Sequence, residues 1–154
     1  MKKVILVAAL VLGVATAAIA QPRAVGLRMG YGAEASYQHT IGETNFIEAD
    51  LGLGISGQRD TTSNISLNVA ATYNWMLAQP QWTDRGEWGF YAGAGAALGI
   101  GHSFNIGVAG QVGLEYTFWF PLQLSVDIRP QLGLIGRRFG LWGWYPHLSA
   151  RYRF

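Results

Sequence analysis

The 154-residue chain contains no cysteine. That excludes a disulfide scaffold and a zinc–thiolate site. Charge is scarce: Asp, Glu, Lys and Arg together make up 13%, where ordinary soluble domains carry about 25%. Lysine occurs only at Lys2 and Lys3. Beyond the N-terminal segment no apolar run approaches the ~18 residues that a membrane helix needs. The three histidines, His39, His102 and His147, are scattered and fit no metal-ligand spacing. The glycines of Gly89–Gly101 alternate along an extended segment and precede no helix, so they make no phosphate loop. Neither a metal nor a cofactor is expected.

What is present is oily, small and aromatic. Half the chain is hydrophobic, with 21 Gly, six Trp and seven Tyr. It opens on MKKVILVAALVLGVATAAIA: two lysines, an apolar run, then small residues ending Ala18-Ile19-Ala20. That is the layout of a secretory leader with an A-x-A cleavage site. The run is interrupted by Gly13 and Thr16 and is short for the ~20 residues of a spanning helix. Cleavage after Ala20 removes 20 of 154 residues and leaves 134, from Gln21 to Phe154. That is one domain by size. With no cysteine near the cut, a lipid-anchored form is not expected. The cut also removes both lysines, so nine arginines face nine acids. No basic patch with interleaved aromatics remains, and nucleic acid is not an expected partner.

The dominant period is two. Ile65, Leu67, Val69, Ala71, Tyr73 and Trp75 alternate with Ser66, Asn68, Ala70, Thr72 and Asn74. Leu122, Leu124, Val126 and Ile128 alternate with Gln123, Ser125, Asp127 and Arg129. Ile47, Ala49, Leu51, Leu53 and Ile55 alternate with Glu48, Asp50, Gly52 and Gly54. Such alternation predicts strands with one oily and one polar face. An exported chain with hydrophobicity spread over alternate positions predicts an all-β fold, a transmembrane antiparallel barrel. Strands are expected at about 45–56, 65–76, 88–100, 106–118, 121–135 and 144–154. Segment 24–40 reads either as one strand or as two, about 24–30 and 33–40, split at Gly30-Tyr31-Gly32. Two gives eight, and an even number closes an antiparallel barrel. The alternative extra strand is Arg137–Trp142. In the eight-strand reading, turns near Gly42–Asn45, Ala78–Glu87 and Trp119–Pro121 face the periplasm. Gly30–Gly32, Gly57–Asn64, Gly101–Asn105 and Gly136–Gly143 face outward. The length of the 78–87 turn departs from the usual short periplasmic connection.

Alternation assigns a charged lumen: Arg28, Glu34, Glu48, Asp50, Glu115, Asp127, Arg129, Arg151 and Arg153. Gln38, Asn68, Asn74, Gln111, Gln123 and Gln131 join them, while Gly93, Gly95, Gly99, Gly107 and Gly113 leave room beside Tyr91. An eight-stranded barrel is only wide enough for side chains to fill it. Charges there must be paired, which predicts a salt-bridged plug. A narrow channel is the alternative. Trp75, Trp88, Trp119, Trp144, Tyr37, Tyr116 and Tyr152 are expected in interfacial belts.

The chain ends HLSARYRF, with Leu148, Ala150, Tyr152 and Phe154 on one face and His147, Ser149, Arg151 and Arg153 on the other. The terminal Phe154 with its alternating apolar predecessors resembles the signal read by the outer-membrane barrel assembly machinery. The mature chain as a whole resembles the small eight-stranded outer-membrane barrels of the OmpX and OmpA-transmembrane-domain type. The resemblance implies the outer membrane of a Gram-negative bacterium, with membrane lipids and the assembly machinery as partners. Unlike in OmpA-like proteins, no peptidoglycan-binding domain is expected after the barrel, and the expected loops are shorter than those of OmpX-like adhesins. No particular surface partner is implied. The function expected is non-enzymatic, envelope-structural or surface-interacting.

The one catalytic candidate is His147-x-Ser149, side chains on one strand face roughly 6–7 Å apart along it. The pair is similar to that of the outer-membrane lipid A deacylases, which would make the chain a lipid-modifying enzyme. Serine chemistry also needs an orienting acid, and none can be assigned here. Alternation turns both residues inward, away from lipid.

Overall fold

A computed structural model describes residues 23–30, 32–56, 64–101 and 104–154. The leader, Tyr31, His102 and Ser103 lie outside the described residues. The elements are β1 (Arg23–Met29), β2 (Ala33–Ile41), β3 (Asn45–Ser56), β4 (Asn64–Ala78), β5 (Glu87–Ile100), β6 (Asn105–Thr117), β7 (Leu122–Ile128), β8 (Gln131–Ile135), β9 (Arg138–Trp142) and β10 (Pro146–Arg153). Each pairs antiparallel with its sequence neighbour from β1 through β7, and β8 pairs with β6 and β9. β10 pairs with β7 on one side and β1 on the other, which closes the sheet.

β7 with β8, and β9 with β10, each form one stave of the wall. The result is a closed antiparallel barrel of eight staves. Segment 24–40 is two strands, joined at register Met29↔Ala33 with Gly30 N–H donating to the Gly32 carbonyl at 3.0 Å. The expected loop Gly136–Gly143 is corrected. Arg138–Trp142 is a strand, paired with β8 from Ile135↔Arg138 to Gln131↔Trp142. The turn shrinks to residues 136–137 because Gly136, at φ +61°, reverses the chain at once. The last strand begins at Pro146 rather than 144, because the ladder is interrupted just before it.

Arg23 and Phe154, the turns 42–44 and 118–121, and the long 79–86 connection lie at one rim, here the terminal rim. Gly30, Gly32, Gly101, Phe104, Gly136 and Arg137 lie at the opposite, distal rim. Backbone bonds between Arg23 and Phe154, at 3.0 and 2.8 Å, fasten the seam.

The packing is inverted relative to a water-soluble domain. Among the described residues, the buried set has sixteen polar or charged members and six hydrophobic ones. Leu27, Leu51, Val69, Val108, Val126, Leu134 and Leu148 stand exposed on the outer wall. Inside, Ala70, Ala97 and Ala109 make a small apolar cluster. Phe46 meets Tyr91 edge-on at 5.1 Å.

Candidate functional site: the barrel lumen

Period-two alternation brings one face of every stave into the same narrow space. From β1, the fully buried Arg28 donates to Glu34 of β2 at 2.6 Å and to Asp127 of β7. Glu34 also accepts from Arg129 at 2.7 Å, and Arg129 reaches Asp50 of β3. Arg151 of β10 donates to Glu48 at 2.9 Å, to Ser36 at 2.9 Å and to Ser125 at 2.8 Å. Glu48 accepts further bonds from Gln38 at 2.8 Å and Gln111 at 2.9 Å. Thr72 donates to Gln111, and Asn74 to Thr72. Seven charged groups from β1, β2, β3, β7, β10 and the Arg129 link between β7 and β8 are thus tied into one cross-braced layer. Burial of charges is tolerated only with this degree of pairing and hydrogen bonding.

Two of the nine charges stand apart. Glu115 accepts from Gln123 at 2.8 Å and has no arginine at ion-pair distance among the described residues. Arg153 is only partly buried and lines the terminal rim with Arg23. The amides placed inward share the lumen: Gln38, Asn74, Gln111 and Gln123 are buried, Asn68 and Gln131 half-buried. Ser36 and Ser125, both ligands of Arg151, are missing from the sequence-derived set. Their alternation with Tyr37 and Leu124 carried the signal.

A cavity of about 100 Å³ sits at the terminal rim, lined by Arg23, Gln38, Phe46, Trp88, Glu115, Gln123 and Arg153 among others. A second, about 290 Å³, opens at the distal rim against Glu34, Ser66, Asn68, Gln131, Trp142, Tyr145 and His147. By register the ion-pair layer lies between them. Among the described residues, buried polar atoms without a protein partner occur at both ends and between them, where Asp50 Oδ1, Asn74 Oδ1, Tyr91 Oη, Arg129 Nε and Ser149 Oγ lack one. Arg23 Nη2, Trp88 Nε1 and Gln123 Oε1 belong to the terminal cavity's walls, and His147 Nδ1 to the distal one's. Such atoms require water or a ligand.

His147 and Ser149 both face the lumen and are buried. Ser149 Oγ makes no hydrogen bond among the described residues, nor does His147 Nδ1, so the two form no hydrogen-bonded dyad. Their register partners are Asp127 and Ser125 on β7. His39 faces outward and stacks on Tyr37 at 6.4 Å. No group of three His, Cys, Asp or Glu side chains suited to a metal occurs among the described residues.

Leu148, Ala150, Tyr152 and Phe154 all point outward and are exposed. Aromatics concentrate at the terminal rim, where Trp82, Trp88, Tyr116 and Phe118 follow one another at 5.5, 4.7 and 4.6 Å. Trp119 and Phe120 extend this strip, and Arg85 lies over Trp119 at 6.0 Å. Of the expected belt residues, Trp75, Trp119, Trp144 and Tyr152 are exposed and Tyr37, Trp88 and Tyr116 half-buried. Trp142, unassigned by sequence, lines the distal cavity.

The fold and its lumen define a class: a closed, eight-stranded antiparallel barrel with a polar interior and an apolar wall. No family model matches the chain, and no curated protein does. Among solved structures it is similar to one described as "De novo design of transmembrane beta-barrels". The TM-score is 0.52 at 14% identity, covering 86% of this chain and 95% of that one. The likeness is one of fold, and it places the chain's architecture with transmembrane barrels.

Proposed function

We propose that this chain is an integral outer-membrane barrel of a Gram-negative bacterium, similar to the small OmpX and OmpA-transmembrane-domain barrels. It is non-enzymatic, with an envelope-structural or surface-interacting role. The observation that carries the reading is the inversion of polarity: charged groups inside, exposed Leu, Val and Ile outside. That wall is stable only against lipid, and a closed barrel alone satisfies every strand's backbone there. The leader 1–20 would direct export and be cut after Ala20. The outward face Leu148, Ala150, Tyr152 and Phe154 is available to the assembly machinery. The cross-braced ion-pair layer favours a closed lumen over a channel, since opening it would separate buried charges.

The test is threefold. The folded protein should fractionate with outer membranes and migrate differently with and without boiling in detergent gels. Planar bilayers containing it should show no discrete conductance steps. Mass spectra of envelope lipids should be identical with the protein, without it, and with His147→Ala. A soluble periplasmic product would overturn the membrane reading, and conductance the plug. A lipid mass change that needs His147 would make the chain a lipid-modifying enzyme.

A further inference from the structure

The distal cavity is a built space. Five of its wall side chains each lie against a glycine on a neighbouring segment. A Cβ on Gly52 would meet Glu34 Cγ at 2.7 Å, one on Gly99 would meet Asn68 Oδ1 at 2.9 Å, and one on Gly107 would run into the Leu132 carbonyl as well as the Trp142 ring at 2.7 Å. A Cβ on Gly143 would meet Gln131 Nε2 at 2.7 Å, and one on Gly30 would collide with the His147 ring. Any larger residue at these places would push a wall side chain into the space or out of position. The glycines therefore both make the room and seat the groups around it. At about 290 Å³ the cavity is near the lower end of ligand-sized pockets, which run from roughly 300 Å³.

The chemistry of the walls is specific. Glu34 is neutralised, since one oxygen accepts from both Arg28 and Arg129 at 2.6 and 2.7 Å. No unpaired charge is left to select an ion. What remains is directional: the Asn68 and Gln131 amides and the His147 imidazole. His147 is more than nine-tenths buried, and its Nδ1 has no hydrogen-bond partner. Two ring side chains, Trp142 and Tyr145, complete the walls. Flat aromatic surfaces combined with neutral donors and acceptors suit a ligand with apolar C–H faces and a rim of hydroxyls.

A second feature concerns the way in. The ladder between the last two staves stops at Ile128↔Pro146 and resumes at Gln131↔Trp142. Two residues, Arg129 and Pro130, there oppose three, Gly143 to Tyr145. Pro130 and Pro146 have no N–H to donate across the gap. Gln131, Trp142, Gly143, Tyr145 and His147, which flank this break, also line the cavity. The cavity thus abuts both the distal rim and a weak seam in the wall.

We infer that the distal cavity is a binding site for a sugar ring, held by Asn68, Gln131 and His147 and packed against Trp142 and Tyr145. In the proposed membrane orientation, on which the choice of source alone rests, a free saccharide enters from the rim and a lipid-linked sugar through the seam.

The test is an NMR titration of the mature barrel in dodecylphosphocholine micelles, which carry no sugar. The side-chain amide signals of Asn68 and Gln131 are followed as maltose or dodecyl maltoside is added. Both signals should shift saturably with at least one probe. Gln131→Leu should weaken binding about three- to tenfold, as loss of a neutral hydrogen bond does. Ser66→Trp should abolish the shifts while leaving the backbone spectrum of the barrel intact. Saturation by maltose assigns a free saccharide, and saturation by dodecyl maltoside alone assigns a lipid-linked sugar. If neither probe shifts the amides at millimolar concentration, or the shifts survive Ser66→Trp, the site is not a sugar site. That failure would leave the fractionation and gel-mobility results untouched, so the two readings fall separately.

Discussion

At the scale of single residues, Arg28, Glu34, Glu48, Arg129 and Arg151 are each coupled to more than one partner. Glu48 is the most heavily used, accepting from Arg151, Gln38 and Gln111 while fully buried. Replacing it by leucine leaves the buried Arg151 guanidinium without its counter-charge and takes an acceptor from the Gln38 and Gln111 amides. Glu48→Leu should therefore lower stability by about 3–5 kcal/mol, read as a lower urea midpoint for the folded band in unboiled gels. An unchanged midpoint would mean that the ion-pair layer contributes nothing to holding the barrel. Glycines divide sharply by the space around them. A Cβ on Gly95 would run into the Ala71 carbonyl and Thr72 backbone of β4, which cannot yield without breaking the ladder. One on Gly110 meets only Pro130 Cγ, at 3.8 Å. Gly95→Val should block refolding and Gly110→Ala should leave the refolded yield unchanged. Equal yields from the two would contradict the close approach of β4 and β5.

At the scale of elements, the wall is uneven. β5 and β6 pair without interruption from Glu87↔Thr117 to Gly99↔Asn105. The last two staves are broken in mid-wall, where Gly143 adopts φ +68°. A bulge of this kind leaves ladder groups unpaired and bends the strand. Amide hydrogen exchange should be fastest, within the staves, at residues 143 and 144 and slowest along β5 and β6. Uniform protection around the barrel would refute a seam. Gly143→Ala should cost at least about 1–2 kcal/mol, the penalty of a left-handed conformation for a residue with a Cβ, on top of displacing the Gln131 amide, measured by the same urea titration.

At the scale of the whole molecule, the tryptophans mark the terminal rim. Trp75, Trp82, Trp88 and Trp119 lie towards it, with apolar side chains on the wall beyond. Indoles settle where the ring is buried and the N–H stays wet. In vesicles, tryptophan emission should be quenched more strongly by lipids brominated near the headgroup than by lipids brominated at the chain ends. The reverse order would place the rims in the wrong environment and with them the proposed orientation.

Much of this was written in the order of the residues. Alternation determined that the chain forms strands, and which side chains share the inner face: Arg28, Glu48, Asp127 and Arg151 sit at the right parity because successive residues of a strand point to opposite sides. Parity also separated Leu148, Ala150, Tyr152 and Phe154 from their polar neighbours. It carried no information across staves. That Arg28 meets Asp127, 99 residues away, or that Arg151 leaves Glu115 to Gln123, depends on stagger and closure, which are properties of the assembled sheet. The strand at Arg138–Trp142 was obscured for a local reason: flanking glycines read as loop, while pairing with Gln131–Ile135 made it wall. The same break hid the distal cavity. Its walls come from β2, β3, β4, β8, β9 and β10, and five of them are held by glycines that the sequence shows only as gaps in the apolar pattern. Local backbone geometry is legible one strand at a time. Enclosed space and charge partnership exist only once the sheet has closed on itself.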